Sequence, residues 1–148
     1  MVHSTMPQTN VIFILTDDQG VWAAGCFGNR EIRTPNLDRL AMEGLRFENF
    51  FVATPVCSPS RATLLTGRIP SQHGVHDFIK GDTGPDAVQY LQGELAYTDI
   101  MARAGWTCGI SGKWHLGDSQ IAQHGFSDWF VHQGGAGPYN NAPMVRNG

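Results

Sequence analysis

Cys57-Ser58-Pro59-Ser60-Arg61 sets a thiol, a helix-starting proline and a fixed cation within one short stretch. Pro59 suits a first helical turn, where its missing N–H goes unneeded, and Ala62-Thr63-Leu64-Leu65-Thr66 carries the helix to a stop at Gly67. Cys57 then lies at the positive end of that helix, with Arg61 one turn on along the same face. The field there favours a thiolate or a bound anion. The competing reading is a buried, inert cysteine, the commoner state of a free thiol.

Two other groups could share such chemistry. Asp17 and Asp18 follow an apolar run, and adjacent carboxylates repel one another unless a hard cation such as Ca²⁺ bridges them. A solvated turn is the ordinary alternative for Asp-Asp before Gln-Gly. Lys113 and His115 flank Trp114 just beyond an expected strand. Extended backbone would point both polar side chains one way and the indole the other, giving one face a cation and a group that titrates near neutrality.

The elements needed to position these groups follow an α/β rhythm. Val11 to Thr16 is a short β-branched run expected as a strand buried on both faces, delivering Asp17 and Asp18 to its carboxyl end, where ligands of open α/β sheets gather. Thr34 and Pro35 open a helix whose stripe is Leu37, Leu40 and Ala41, and Gly44 ends it. Leu45 to Val52 reads as a second extended segment, and the next helix runs from Pro59 to Gly67. Gly74 to Gly93 reads as a loop. A further helix carries Tyr97, Ile100, Met101 and Ala104 at helical spacing up to Gly105, and Trp106 to Ser111 forms the next strand, with Cys108 in the core. Beyond Gly117 the pattern thins, and no later apolar strand is expected. The sheet would then be unfinished, with an unpaired edge and exposed apolar surface.

Composition narrows the function classes. A net charge of −3 on 148 residues gives no general attraction for polyanions, which argues against nucleic acid and places any anion site in a local basic cluster. The first residues, about 1–9, have neither a basic start nor an apolar core and are expected to be flexible; with no membrane-length apolar run, a cytoplasmic protein without a membrane partner is expected. Cys26, Cys57 and Cys108 are odd in number and widely spaced, which argues against a disulfide framework or a zinc site. His73 and His76 read as an ordinary turn, with a pocket mouth as the alternative, and His124 has no assigned role. Phe47, Phe50, Phe51, Phe126, Trp129 and Phe130 read as core or packing surface.

The longer string Cys57-Ser58-Pro59-Ser60-Arg61-Ala62-Thr63-Leu64-Leu65-Thr66-Gly67-Arg68 resembles the signature of the formylglycine-dependent (type I) sulfatase family. The resemblance continues in order through Asn10 to Gly20, Thr34 to Leu40 and Gly112 to Gly117. It implies an alkaline-phosphatase-like α/β fold, a mainly parallel sheet flanked by helices and incomplete at the C-terminus, with residues 1–148 forming the N-terminal part of a catalytic domain.

By this resemblance Cys57 is oxidised to formylglycine by a formylglycine-generating enzyme, and its hydrate serves as nucleophile and as a metal ligand. Asp17 and Asp18 are then ligands of Ca²⁺, with Mg²⁺ as the alternative. Arg61 holds the hydrate, Lys113 contacts the sulfate, and His115 assists release of the covalent sulfate. The implied substrate is a small-molecule or carbohydrate sulfate ester. The family's remaining acidic and amide ligands, and its leaving-group acid, have no counterpart in this sequence, so weak metal binding and doubtful activity are expected. A phosphonate or phosphodiester hydrolase of the same superfamily is one alternative, and a non-catalytic sulfatase remnant is the other.

Overall fold

The computed structural model describes residues 9–80, 87–135 and 137–148, which fall into two units, one up to Phe50 and one from Phe51 onward. The expected flexible start lies outside the described residues except for its last position, and so does the middle of the loop expected between Gly74 and Gly93. Among the described residues no helix is long and apolar enough to cross a membrane.

The first unit is built from turns around one helix, α1 (Pro35–Glu43). Pro35 stands at its first turn and Gly44 ends it, as the sequence marks. Thr34 does not cap the helix in the usual way: its hydroxyl accepts the Gly25 N–H at 2.8 Å and donates to Asp38 Oδ1 at 3.0 Å, tying the preceding turn onto the helix start. Leu37 and Leu40, expected on a buried stripe, are exposed.

Val11 to Thr16 is not a strand, and Val11, Ile12, Phe13, Ile14 and Leu15 are all exposed. Strand character in a β-branched run depends on a neighbour that takes its N–H and C=O groups. Among the described residues this run has no such neighbour. Leu45 to Val52 likewise forms no strand, and Phe47, Phe50 and Phe51 are exposed, with the Phe47 and Phe50 rings 5.7 Å apart between centroids.

In the second unit, α2 (Cys57–Thr66) begins two residues before the proline expected to open it and ends at Gly67, whose φ is 67°. Ser58, Pro59, Ala62 and Leu65 are its buried residues, one face at helical spacing. A short α3 (Pro70–His73) follows, then α4 (Tyr97–Arg103). The N–H of Ala96 is capped by the Asp99 carboxylate at 2.8 Å, and Trp106 N–H closes the far end on Met101 O. The buried face of α4 is turned from the one expected: Thr98 is buried, while Tyr97 and Ile100 are exposed.

The sheet has the order β1 (Cys108–Gly112), β2 (Phe126–His132), β3 (Met144–Arg146), with β1 parallel and β3 antiparallel to β2. It is therefore mixed, and the parallel arrangement expected is confined to β1 and β2. Strands do form beyond Gly117, contrary to expectation. In β2 the alternation is clear, with Trp129 and Val131 buried and Asp128 and Phe130 exposed. Cys108 is buried, as expected of a core thiol.

Trp129 anchors this unit. It is fully buried, meets the Trp114 ring edge-on at 5.1 Å between centroids, and donates its indole N–H to Ser119 O at 2.8 Å. Replacing a buried tryptophan with alanine typically costs ~3–5 kcal/mol. We expect Trp129→Ala to lower the midpoint of urea unfolding accordingly; a midpoint within error of the parent chain would contradict this account of the core.

Candidate active site

Cys57 owes its place to the start of α2. Val56 is extended, at φ −134° and ψ 141°, and its carbonyl accepts the first helical bond, from Ser60 N–H at 3.0 Å. Cys57 is therefore the first helical residue, half-buried at the end where backbone N–H groups carry partial positive charge. Ser58 and Pro59 behind it are buried and fix the turn.

Arg61 reaches from the next turn to the segment that follows β1, donating from Nη1 to Lys113 O at 2.6 Å. The cation of the Cys57 helix thus holds the backbone that carries Lys113. The extended alternation expected from Lys113 to His115 does not occur. Trp114 and His115 are both buried and Lys113 is half-buried, because the chain turns into the left-handed region at His115, with φ 59°. For a residue with a Cβ this conformation costs on the order of 1 kcal/mol, so the surrounding contacts must hold it.

His115 Nε2 lies 2.7 Å from Ile79 O, and its ring meets Phe78 edge-on, centroids 4.6 Å apart. Gly135 closes a further side, where a Cβ would overlap the His115 ring. Ile79 is itself held, its N–H donating to Ser58 Oγ at 3.2 Å. The second unit therefore brings Arg61, Lys113 and His115 into one bonded group around the first turn of α2.

Asp17 and Asp18 belong to the first unit. Both are exposed, and Asp18 takes φ 57°, a conformation aspartate tolerates better than most residues. Two adjacent carboxylates suit a hard cation in kind but not in number, since Ca²⁺ takes about six to eight oxygens. Among the described residues no group of three or more His, Cys, Asp and Glu is placed to hold a metal ion. The donor set is partial.

Other sequence readings resolve structurally. His73, the last residue of α3, is buried, lies 3.1 Å from Thr63 Oγ1 through Nε2 and accepts the Val75 N–H on Nδ1 at 3.2 Å. Burial pushes its pKa below the ordinary 6.5. His76 is exposed. His124 pairs with Asp99 at 3.0 Å, beside the start of α4. A cavity of about 410 Å³ lies elsewhere, lined by Gly109, Ile110, Ser111, Asp128, Phe130 and Arg146 on one face of the sheet, and it includes none of the candidate residues. Ser58, Ile79 and Gly135 were missed as site components. Ser58 was visible within the pentapeptide, whereas Ile79 contributes only backbone groups, which carry no sequence signal.

Comparison with known proteins adds a family. A family model described as sulfatase matches residues 9–147. Human N-acetylgalactosamine-6-sulfatase is 40% identical over 151 residues, covering 95% of this chain and 29% of the relative, and rat (Rattus norvegicus) steryl-sulfatase is 39% identical, covering 86% and 22%. A protein solved in complex with its substrate D-glucosamine-2-N,6-O-disulfate superposes with a TM-score of 0.78 at 32% identity, covering 94% of this chain and 26% of that one. The chain thus spans under a third of the length of the curated relatives it matches.

Two outcomes test this geometry. Gly135→Ala should cost ~1–3 kcal/mol through overpacking and shift the His115 ring resonances, which a histidine-labelled NMR spectrum would show; unchanged resonances would remove Gly135 from the site. For His73, lowering of the folded pKa means that the unfolded chain takes up protons first. Stability should therefore fall as pH drops below 6.5, and the slope should flatten in His73→Gln, as read from urea midpoints across pH.

Proposed function

The chain belongs to the sulfatase family, and from that premise we propose that it carries part of a catalytic site for hydrolysing sulfate esters, with Cys57 at the nucleophile position. The observation that supports this reading most directly is the bond from Arg61 to Lys113 O, which ties the Cys57 helix to the segment bearing a cation and an imidazole.

Formylglycine formed from Cys57 would supply the nucleophilic oxygen, and a divalent metal, Ca²⁺ or Mg²⁺, held at Asp17 and Asp18 would withdraw charge from the sulfate. The remaining roles fall to side chains of this chain. Arg61 sets the local positive potential one turn from Cys57 and fixes the path of the 113–115 segment. Lys113 offers an ammonium to a sulfate oxygen. His115 moves a proton: a carbonyl can only accept, so its bond to Ile79 O assigns the proton to Nε2 and leaves Nδ1 as the basic nitrogen of the neutral ring.

The proposed substrate is a carbohydrate or other small-molecule sulfate ester. The 6-sulfatase name of the human relative and the 6-O-sulfated amino sugar bound in the solved structure make amino-sugar 6-sulfates the first class to try. The proposed maturation partner is a formylglycine-generating enzyme.

Coexpression with that enzyme, followed by peptide mapping, should find an aldehyde at Cys57. Turnover of an aryl sulfate and of an amino-sugar 6-sulfate should then be measured for the chain alone and joined to the remainder of a sulfatase catalytic domain, with Cys57→Ala expected to lower it by on the order of 10³-fold or more. An unmodified Cys57 peptide, or turnover indifferent to Cys57→Ala, would overturn the proposal.

A further inference from the structure

We propose that Ser58 is a positioning residue that fixes which ring nitrogen of His115 carries the proton, acting through Ile79. The path is short and made of hydrogen bonds. Ser58 Oγ accepts the Ile79 N–H at 3.2 Å, and Ile79 O accepts from His115 Nε2 at 2.7 Å. Ile79 is thus gripped at both of its backbone groups, one by the α2 turn that carries Cys57 and one by the imidazole.

Burial gives this path its force. Ser58 is 0% exposed, His115 4% and Ile79 5%, so water cannot readily stand in for a lost partner. The hydroxyl of Ser58 also passes over the local backbone partners that serine usually finds near a helix start and reaches a residue 21 positions along the chain. Phe78, adjacent to Ile79, supports the same ring from its edge, so any drift of the 78–79 segment moves two of the surfaces that orient His115. Among the described residues Ser58 is the side chain that bonds the Ile79 N–H, and it therefore sets where the acceptor carbonyl stands.

The consequence is a tautomer choice. With Ile79 O in place, the neutral ring keeps its proton on Nε2 and its lone pair on Nδ1. Without the Ser58 anchor the carbonyl shifts, and its hold on the Nε2–H form weakens. The effect on catalysis rests on the role proposed above for His115, whereas the tautomer itself does not.

The test uses the full chain, labelled with ¹⁵N-histidine, as parent, Ser58→Ala and Ser58→Thr. The parent should show one His115 tautomer, protonated at Nε2, with slow exchange of the Ile79 amide. Ser58→Ala should show a mixture of tautomers and faster exchange at Ile79, and Ser58→Thr, which keeps a hydroxyl, should restore the single form. In the catalytically complete protein, Ser58→Ala should lower kcat on the order of 10-fold or more with little change in KM. A single Nε2–H tautomer retained in Ser58→Ala would overturn the proposal whatever the turnover. Should Ser58→Ala fail to fold, the parent spectrum still decides, because a His115 proton on Nδ1 or an unprotected Ile79 amide would overturn it. The expected tautomer in the parent chain, together with no sulfatase turnover in the catalytically complete protein, would count against the proposed function alone.

Discussion

The hydrogen bond from the Arg61 guanidinium to Lys113 O joins residues 52 positions apart and decides where the candidate site can be. Its donor rides on the first turns of α2 and its acceptor on the segment leaving β1, so the start of the helix that carries Cys57 is tied to the segment that carries Lys113. A guanidinium to a carbonyl is a charge-assisted bond, stronger than a neutral pair and more directional. Once it is made, Trp114 is carried into the core against Trp129, and His115 is delivered to Ile79 and Phe78. A tryptophan between two polar residues thus serves as the nail that holds both.

Much of this fold was legible where local chemistry decides structure. Glycines at 44, 67 and 105 mark helix ends, and Pro35 opens α1, because those preferences belong to the residues themselves. Legibility failed where a partner decides. Val11 to Thr16 has the composition of a buried strand, yet composition cannot supply the neighbour that makes one. The opposite error occurred at β2, where the alternation Asp128, Trp129, Phe130, Val131 was present in the sequence but was masked by the surrounding glycines and polar residues. β3 has only three residues, too few for any period to show.

The candidate residues of the second unit stand out in the sequence by their motifs, and their geometry does not. Cys57, Arg61, Lys113 and His115 are all named by motif, but the alternation argument for Lys113 and His115 assumed extended backbone. The left-handed turn at His115 breaks that alternation, burying the indole and the imidazole together. Histidine gives no warning of such a turn as glycine would. What stabilises it is the absence of a side chain elsewhere: the space taken by the ring is the space a Cβ on Gly135 would need. That glycine stood inside a run that read as featureless loop.

A common feature of the bonds that place these side chains is that one partner is nearly always the main chain. Arg61 bonds Lys113 O, His115 bonds Ile79 O, Ser58 takes Ile79 N–H, Trp129 donates to Ser119 O, and Ser119 Oγ donates to Gln133 O at 2.8 Å. Backbone acceptors are indifferent to the residue that bears them, so position 79 can exchange one apolar side chain for another of similar shape and still hold the imidazole. Positions 58, 61 and 115 have no such latitude, because there the side chain itself is the bonded group. The accuracy of the site therefore resides in the route of the chain between its motifs, and the motifs supply only the atoms that the route brings into register.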